Sequence, residues 1–307
     1  MIKAALTVVF IAALCSPAAG QAWPAPEGVG AVSLTYQVIE NTGHTLTDGS
    51  LIPDGKSRNM SVFVEGDYAV TDRLSITAGL PYVMAKYLGP NPPPPPVPYL
   101  PNERCGCWNH GVQDFSLLAR YSLVNTALGL MPSVSLGVPS HGYDFRGEAA
   151  LGSHLREIRM AMDAGVRLDQ VSPNLSVQGR YSYAIVEKAA DVSHNRSNAS
   201  VEAAYLFARK LSVRGFAAWQ HTHGGLQFGS LPPADLVFPG EVNTPERLFQ
   251  HDRLLKDNNW RLGAGAAYSL PSVDLFVSYI SYVKGTDSHA GHVVSFGVSV
   301  PFEISHP

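Results

Sequence analysis

The chain has 307 residues, 45% of them apolar and only 15% charged, with a formal net charge of −3. Globular domains usually carry about 25% charged residues, so this is an unusual soluble composition. The near-neutral balance speaks against a nucleic-acid partner and against a basic helix lying on a membrane surface.

Met1-Ile2-Lys3 carries one positive charge, Ala4 to Leu14 is apolar but for Thr7, and Ala18 and Gly20 stand at the positions a signal peptidase inspects. This layout predicts a signal peptide over residues 1–20, cleaved after Gly20, with residues 21–307 exported. Cys15 could mark a lipoprotein, but Leu14 precedes it where a small residue is wanted. No later run reaches the roughly 20 apolar residues of a transmembrane helix. An exported chain with few charges and no apolar helix fits a barrel whose strands meet lipid on one face and water on the other.

Alternation with period two recurs about twelve times. The predicted strands run near Gly30–Glu40, Asn59–Val70, Leu74–Met84, Asp114–Leu123, Met131–Val138 and Ile158–Leu168. Six more lie near Leu175–Tyr183, Asn198–Phe207, Leu211–His221, Asn259–Tyr268, Val273–Val283 and His292–Phe302. In the last, Val294, Phe296, Val298, Val300 and Phe302 alternate with Ser295, Gly297 and Ser299. The fold class is therefore all-β: a transmembrane antiparallel up-and-down β-barrel.

Connections alternate in length. Short turns such as Thr71-Asp72-Arg73 and Leu270-Pro271-Ser272 are separated by long loops at 41–57, 88–110, 139–154, 187–196 and 222–258, with a shorter last one at 284–291. Short periplasmic turns and long outer loops are the outer-membrane pattern, and an even strand count places both termini on the periplasmic side. Tyr68, Tyr121, Tyr205, Tyr268 and Phe302 fall at one end of their strands. Tyr82, Tyr181, Tyr183, Trp219 and Tyr279 fall at the other, as two interfacial belts require. Pro90 to Pro101 reads as a stiff outer loop, since proline cannot donate to a sheet.

The inward parity carries Glu65, Asp67, Asp114, Arg120, Arg159, Asp163, Arg167, Arg180, Glu202, Arg214 and Arg261, the expected lumen wall and solute pathway. Matching strands through their short turns sets Asp163 opposite Arg180 and Glu202 diagonally near Arg214. These charges could select solutes at a constriction, or could simply fill a narrow barrel. Cys105-Gly106-Cys107 is compatible with a disulfide, within the loop or to another chain; a metal or redox site would need more ligands or a wider spacing. His221 and His223, with His251 and Asp252 at the end of the same loop, form a metal-like pattern that isolated surface histidines also explain. No metal site, cofactor motif or catalytic residue is assigned, and no Gly-x-Ser-x-Gly element occurs.

Three stretches carry a family resemblance. Val64 to Tyr82 joins two strands through Thr71-Asp72-Arg73 and ends Leu80-Pro81-Tyr82. Gly111 to Asp114 leads into Ala119-Arg120-Tyr121, and Ser133 to Ser140 ends Gly137-Val138-Pro139-Ser140. Together they resemble the outer-membrane barrel family named for a MetA pathway of phenol degradation. The resemblance implies an outer-membrane channel or transporter for small molecules, including hydrophobic or aromatic compounds. Its partners would be outer-membrane lipid, a small-molecule solute and the barrel-assembly machinery. The alternatives from other classes are an outer-membrane lipid hydrolase and a structural barrel with a plugged lumen. The terminal aromatic of many barrels is displaced here, since Glu303 to Pro307 follows Phe302.

Overall fold

A computed structural model describes residues 22–53, 56–89, 105–147, 149–207, 210–227 and 250–304. The expected signal peptide and the Pro90–Pro101 segment lie outside the described residues. In chain order the elements are β1 (Val29–Thr45), β2 (Leu51–Ile52), β3 (Ser57–Ala69), β4 (Leu74–Tyr87), β5 (Asn109–Val112), β6 (Phe115–Tyr121), β7 (Val124–Asn125) and β8 (Leu128–Val138). Then come β9 (Glu157–Arg167), β10 (Leu175–Val186), β11 (His194–Phe207), β12 (Leu211–Gly224), the short helix α1 (His251–Leu254), β13 (Asn258–Ser269), β14 (Asp274–Thr286) and β15 (His289–Glu303).

Twelve of these strands form one antiparallel sheet, each beside its neighbour in sequence, while β2, β5 and β7 are short additions. β15 closes onto β1 over a register from Val29↔Glu303 to His44↔His289. Closure leaves no sheet edge, so the backbone crosses hydrocarbon with its polar groups paired. The pairing of Val29 with Glu303 also places both ends of the barrel chain at one rim, the near rim.

The period-two pattern sorts the two faces. Val32, Leu34, Met160, Met162, Leu262, Phe296 and Val300 stand exposed on the outside, while Ser133, Asp163, Ser278 and Ser299, on the other parity, are buried. In a soluble protein this much exposed apolar surface would be a liability; around a barrel it is the surface that lipid covers. Near the near rim Tyr68 stacks on Phe302 with ring centroids 6.3 Å apart. Towards the far rim Trp219 meets Trp260 at 6.3 Å.

The strands run further at the far rim than the alternation suggests. The predicted loop 284–291 is a two-residue turn at Asp287 and Ser288, because β14 continues to Thr286 and β15 starts at His289. The reason is a bulge: Trp260 pairs with Lys284 but Arg261 with Tyr282, so Val283 is an extra residue that breaks the alternation. A second bulge at Thr42, between the pairs Asn41↔Gly291 and Gly43↔Ala290, hides the last part of β1 in the same way.

Candidate functional site in the barrel lumen

Three ion pairs line the lumen, each bridging strands that lie close in the sheet. Arg120 Nη2 on β6 is 2.7 Å from Asp67 Oδ1 on β3, and Thr77 Oγ1 donates to the same carboxylate oxygen at 2.5 Å. Arg180 Nη1 on β10 is 3.1 Å from Asp163 Oδ2 on β9, its direct partner in the register. Arg214 Nη1 on β12 is 3.6 Å from Oε2 of Glu202 on β11, whose Oε1 accepts a hydrogen bond from Gln178 Nε2 at 2.9 Å. Glu65 and Arg261 face the lumen outside these pairs. Arg261 lines a cavity of about 260 Å³ together with Arg180, Ser182, Asn198, Ser200 and Gln220.

The rest of the wall is different. Across the β1–β15 seam Ser33 Oγ donates to Ser299 Oγ at 2.9 Å and Gln37 Nε2 to Ser295 Oγ at 3.1 Å. The rings of Phe63, Phe216 and Phe276 lie over Gly79, Gly263 and Gly297 of neighbouring strands, so closely that an added Cβ would collide with each ring. Hydroxyls and phenyl rings thus gather about the seam and overlap the charges, since Phe63 shares β3 with Glu65 and Asp67 and Phe216 shares β12 with Arg214.

Both rims are narrowed from within. At the near rim the segment before β1 enters the lumen. Ala22 is fully buried, and its N–H donates to Gln178 Oε1 at 3.3 Å. Trp23 Nε1 donates to Thr126 O at 2.9 Å, and the Arg167 guanidinium stacks 4.9 Å from the Trp23 ring. Gly129 and Gly165 make room for it: a Cβ added at Gly129 would collide with Ala22 O, and one added at Gly165 would come within 2.7 Å of Ala22 Cβ.

At the far rim the loop between β8 and β9 turns inward. Tyr143, Phe145 and Leu151 pack on Val83 and Ala85, which belong to the inward face of β4. The two described ends of the loop between β12 and β13 do the same, setting Leu226, Leu254 and Leu255 against Leu155 and the inward Ala184 and Val186 of β10. Arg253 holds the two loops together. Its Nη1 donates to Ser153 O at 2.8 Å, and its guanidinium lies 3.8 Å from the Phe145 ring centre.

Asp114 sits in the break between β5 and β6, where the Tyr143 hydroxyl donates to it. It therefore anchors the inward loop rather than lining an open pathway. Burial pushes the Asp114 carboxyl above the usual carboxylate range, while the Tyr143 hydrogen bond works the other way. The Tyr143 hydroxyl is pushed up as well, first by burial and then by its bond to Asp114.

Arg159 belongs to a cluster that the pattern of charges does not single out: its Nη2 is 2.6 Å from Glu157 Oε1, and Arg196 pairs with the other oxygen of Glu157. A signal is present in the sequence all the same, since Glu157 and Arg196 continue the inward parity of their strands. Cys105 and Cys107 are bonded to each other. His221 and His223 do not meet Asp252. They lie on the outward face of β12, where Trp219 stacks on His221 and Ser197 Oγ is 2.8 Å from His223 Nε2. Asp252 instead approaches His44 and His289 on the inside.

A closed barrel with an apolar exterior, aromatic belts and a wet, charged interior is an outer-membrane type of β-barrel. No family model matches the sequence, and no curated protein does. Among solved structures, an outer membrane channel from Pseudomonas putida F1 superposes with a TM-score of 0.70 at 14% identity, over 94% of this chain and 100% of that one. The CymD monoaromatic hydrocarbon channel superposes with a TM-score of 0.49 at 13% identity, over 92% of this chain and 90% of that one. At such identities the likeness speaks to architecture.

Proposed function

We propose that this protein is an outer-membrane channel that passes small molecules, with both termini in the periplasm after removal of residues 1–20. The observation that carries this reading is the closed barrel whose lumen wall mixes charges, hydroxyls and phenyl rings. Arg180 and Arg261 line a cavity of about 260 Å³ beside Ser182, Asn198, Ser200 and Gln220, a space suited to a compact solute that a guanidinium can hold. Arginine guanidinium planes also attract aromatic faces. The favoured solutes are therefore small aromatic or otherwise hydrophobic compounds, in keeping with the resemblance to the family named for phenol degradation. The inturned loops and the segment at Ala22 narrow both rims, so passage requires them to shift.

The reading is non-catalytic. Ser197 and His223 are the contact a lipid hydrolase would exploit, but among the described residues no carboxylate or amide hydrogen-bonds the second nitrogen of His223 to orient it. The test is planar-bilayer recording of the refolded protein with benzoate and with acetate. A small ionic current that benzoate interrupts, and acetate does not, is expected. A heat-modifiable, folded barrel without conductance overturns the channel. Lipid hydrolysis lost in Ser197→Ala would favour the enzyme.

A further inference from the structure

The far end of the closing seam brings two imidazoles and a carboxylate together. His44 on β1 and His289 on β15 are partners in the register, with ring centroids 4.0 Å apart. The bulge at Thr42 makes this possible. Without the extra residue His44 would fall on the lipid parity; with it, His44 turns inward beside His289 and is 2% exposed. The third group comes from a separate part of the chain. Asp252, in α1 of the loop between β12 and β13, places Oδ1 3.7 Å from His289 Nε2 and 4.0 Å from His44 Nε2. One ligand atom from each residue lies within 4.8 Å of the other two.

We propose that His44, His289 and Asp252 bind a divalent transition-metal ion of the zinc type. Zinc takes imidazole and carboxylate ligands at about 2.0–2.2 Å, which for tetrahedral geometry sets the ligand atoms roughly 3.3–3.5 Å apart. The two carboxylate–imidazole separations need to close by a few tenths of an ångström, and no separation within the trio exceeds 4.8 Å, so rotamer shifts of side chains on a loop and at strand ends complete the geometry. Two nitrogens among three ligands select zinc, nickel or copper over magnesium or calcium, which prefer all-oxygen sites. The cluster opens on a cavity of about 240 Å³ that Asp252 and His289 line together with Arg196, Thr222 and Asp257, leaving space for water at a fourth position. The ion would tie α1, and with it Leu254 and Leu255 over the mouth, to the barrel seam. The site thus couples metal to the position of the inturned loop, independently of which solute passes.

Zinc binding to the full-length, detergent-folded protein, stripped with chelator and titrated by calorimetry, tests this. Wild type is expected to bind one equivalent tightly, and cobalt in its place to give visible ligand-field absorption. His289→Ala and Asp252→Asn should each lose that equivalent and the absorption. The double variant His221→Ala/His223→Ala, on the outward face, should keep both. If His289→Ala fails to show heat-modifiable migration, Asp252→Asn carries the test alone. The proposal is overturned if wild type binds no zinc, as a plain imidazole–carboxylate contact would predict. It is overturned equally if Asp252→Asn binds as wild type does, or if the equivalent disappears with His221 and His223.

Discussion

Asp163 and Arg180 face each other across β9 and β10, with Arg180 Nη1 3.1 Å from Asp163 Oδ2 and the Asp163 side chain wholly withdrawn from solvent. A carboxylate in that position depends on its partner, because losing one member of a buried pair leaves a charge without compensation. Arg180→Met is expected to destabilise the barrel by about 3 kcal/mol, the low end of the usual range since Arg180 keeps some contact with lumen water. Urea unfolding in detergent measures it. The double variant Asp163→Asn/Arg180→Met should recover most of the loss, and a double variant no more stable than Arg180→Met would contradict the pairing. By contrast, Arg58 and Glu40, partly exposed towards the far-rim ends of β3 and β1, should change stability by no more than about 1 kcal/mol when separated.

That pairing is legible in the sequence. Strict alternation fixes which residues turn inward, and a short turn between Arg167 and Leu175 fixes the register, so Asp163 falls opposite Arg180. All twelve strands follow from the same two facts. Bulges are where the reasoning fails, since one extra residue reverses the parity. His44 is hidden behind Thr42, and His289 behind Val283, for that reason. The entry of Ala22 into the lumen and the inward turn of Tyr143 are hidden for another. Contacts between a loop and a wall far away in sequence leave no periodic trace.

Leu34 on β1 lies between Val64 and Val298 of its neighbours, midway between the belts and outward-facing. Leu34→Arg is expected to cost about 2–4 kcal/mol when the barrel is folded into lipid, since the charge would sit in hydrocarbon. Thr35→Arg, one residue on, turns its charge into the lumen and should avoid that term. Equilibrium folding into large vesicles compares the two. Equal costs would mean that the faces are assigned wrongly.

Gly165 meets the buried N-terminal segment, where an added Cβ would lie 2.7 Å from both Ala22 Cβ and a Trp23 ring carbon. Gly165→Val should expel the segment and break the stack of Arg167 on Trp23. Single-channel conductance is then expected to rise, and iodide should quench Trp23 more readily. Gly66→Val is the control, because nothing stands within 4 Å of the Cβ it would add. A Gly165→Val barrel with unchanged conductance would show that the segment does not limit flow.

The pH dependence of the far rim should trace to Asp114. Burial raises its pKa when the Tyr143 loop is docked. The docked state therefore holds the proton more tightly than an undocked loop, whose carboxyl titrates near an ordinary value of about 4. The sign follows. Docking is strongest below that ordinary value, and it weakens as pH rises through the raised one, because an ionised Asp114 must then be kept out of water. Single-channel records should show more closed time as pH falls from 7 to 4. Asp114→Asn imitates the protonated carboxyl, so its closed time should match that of wild type at low pH and stay level as pH rises. A slope surviving in Asp114→Asn would show that another group carries the titration.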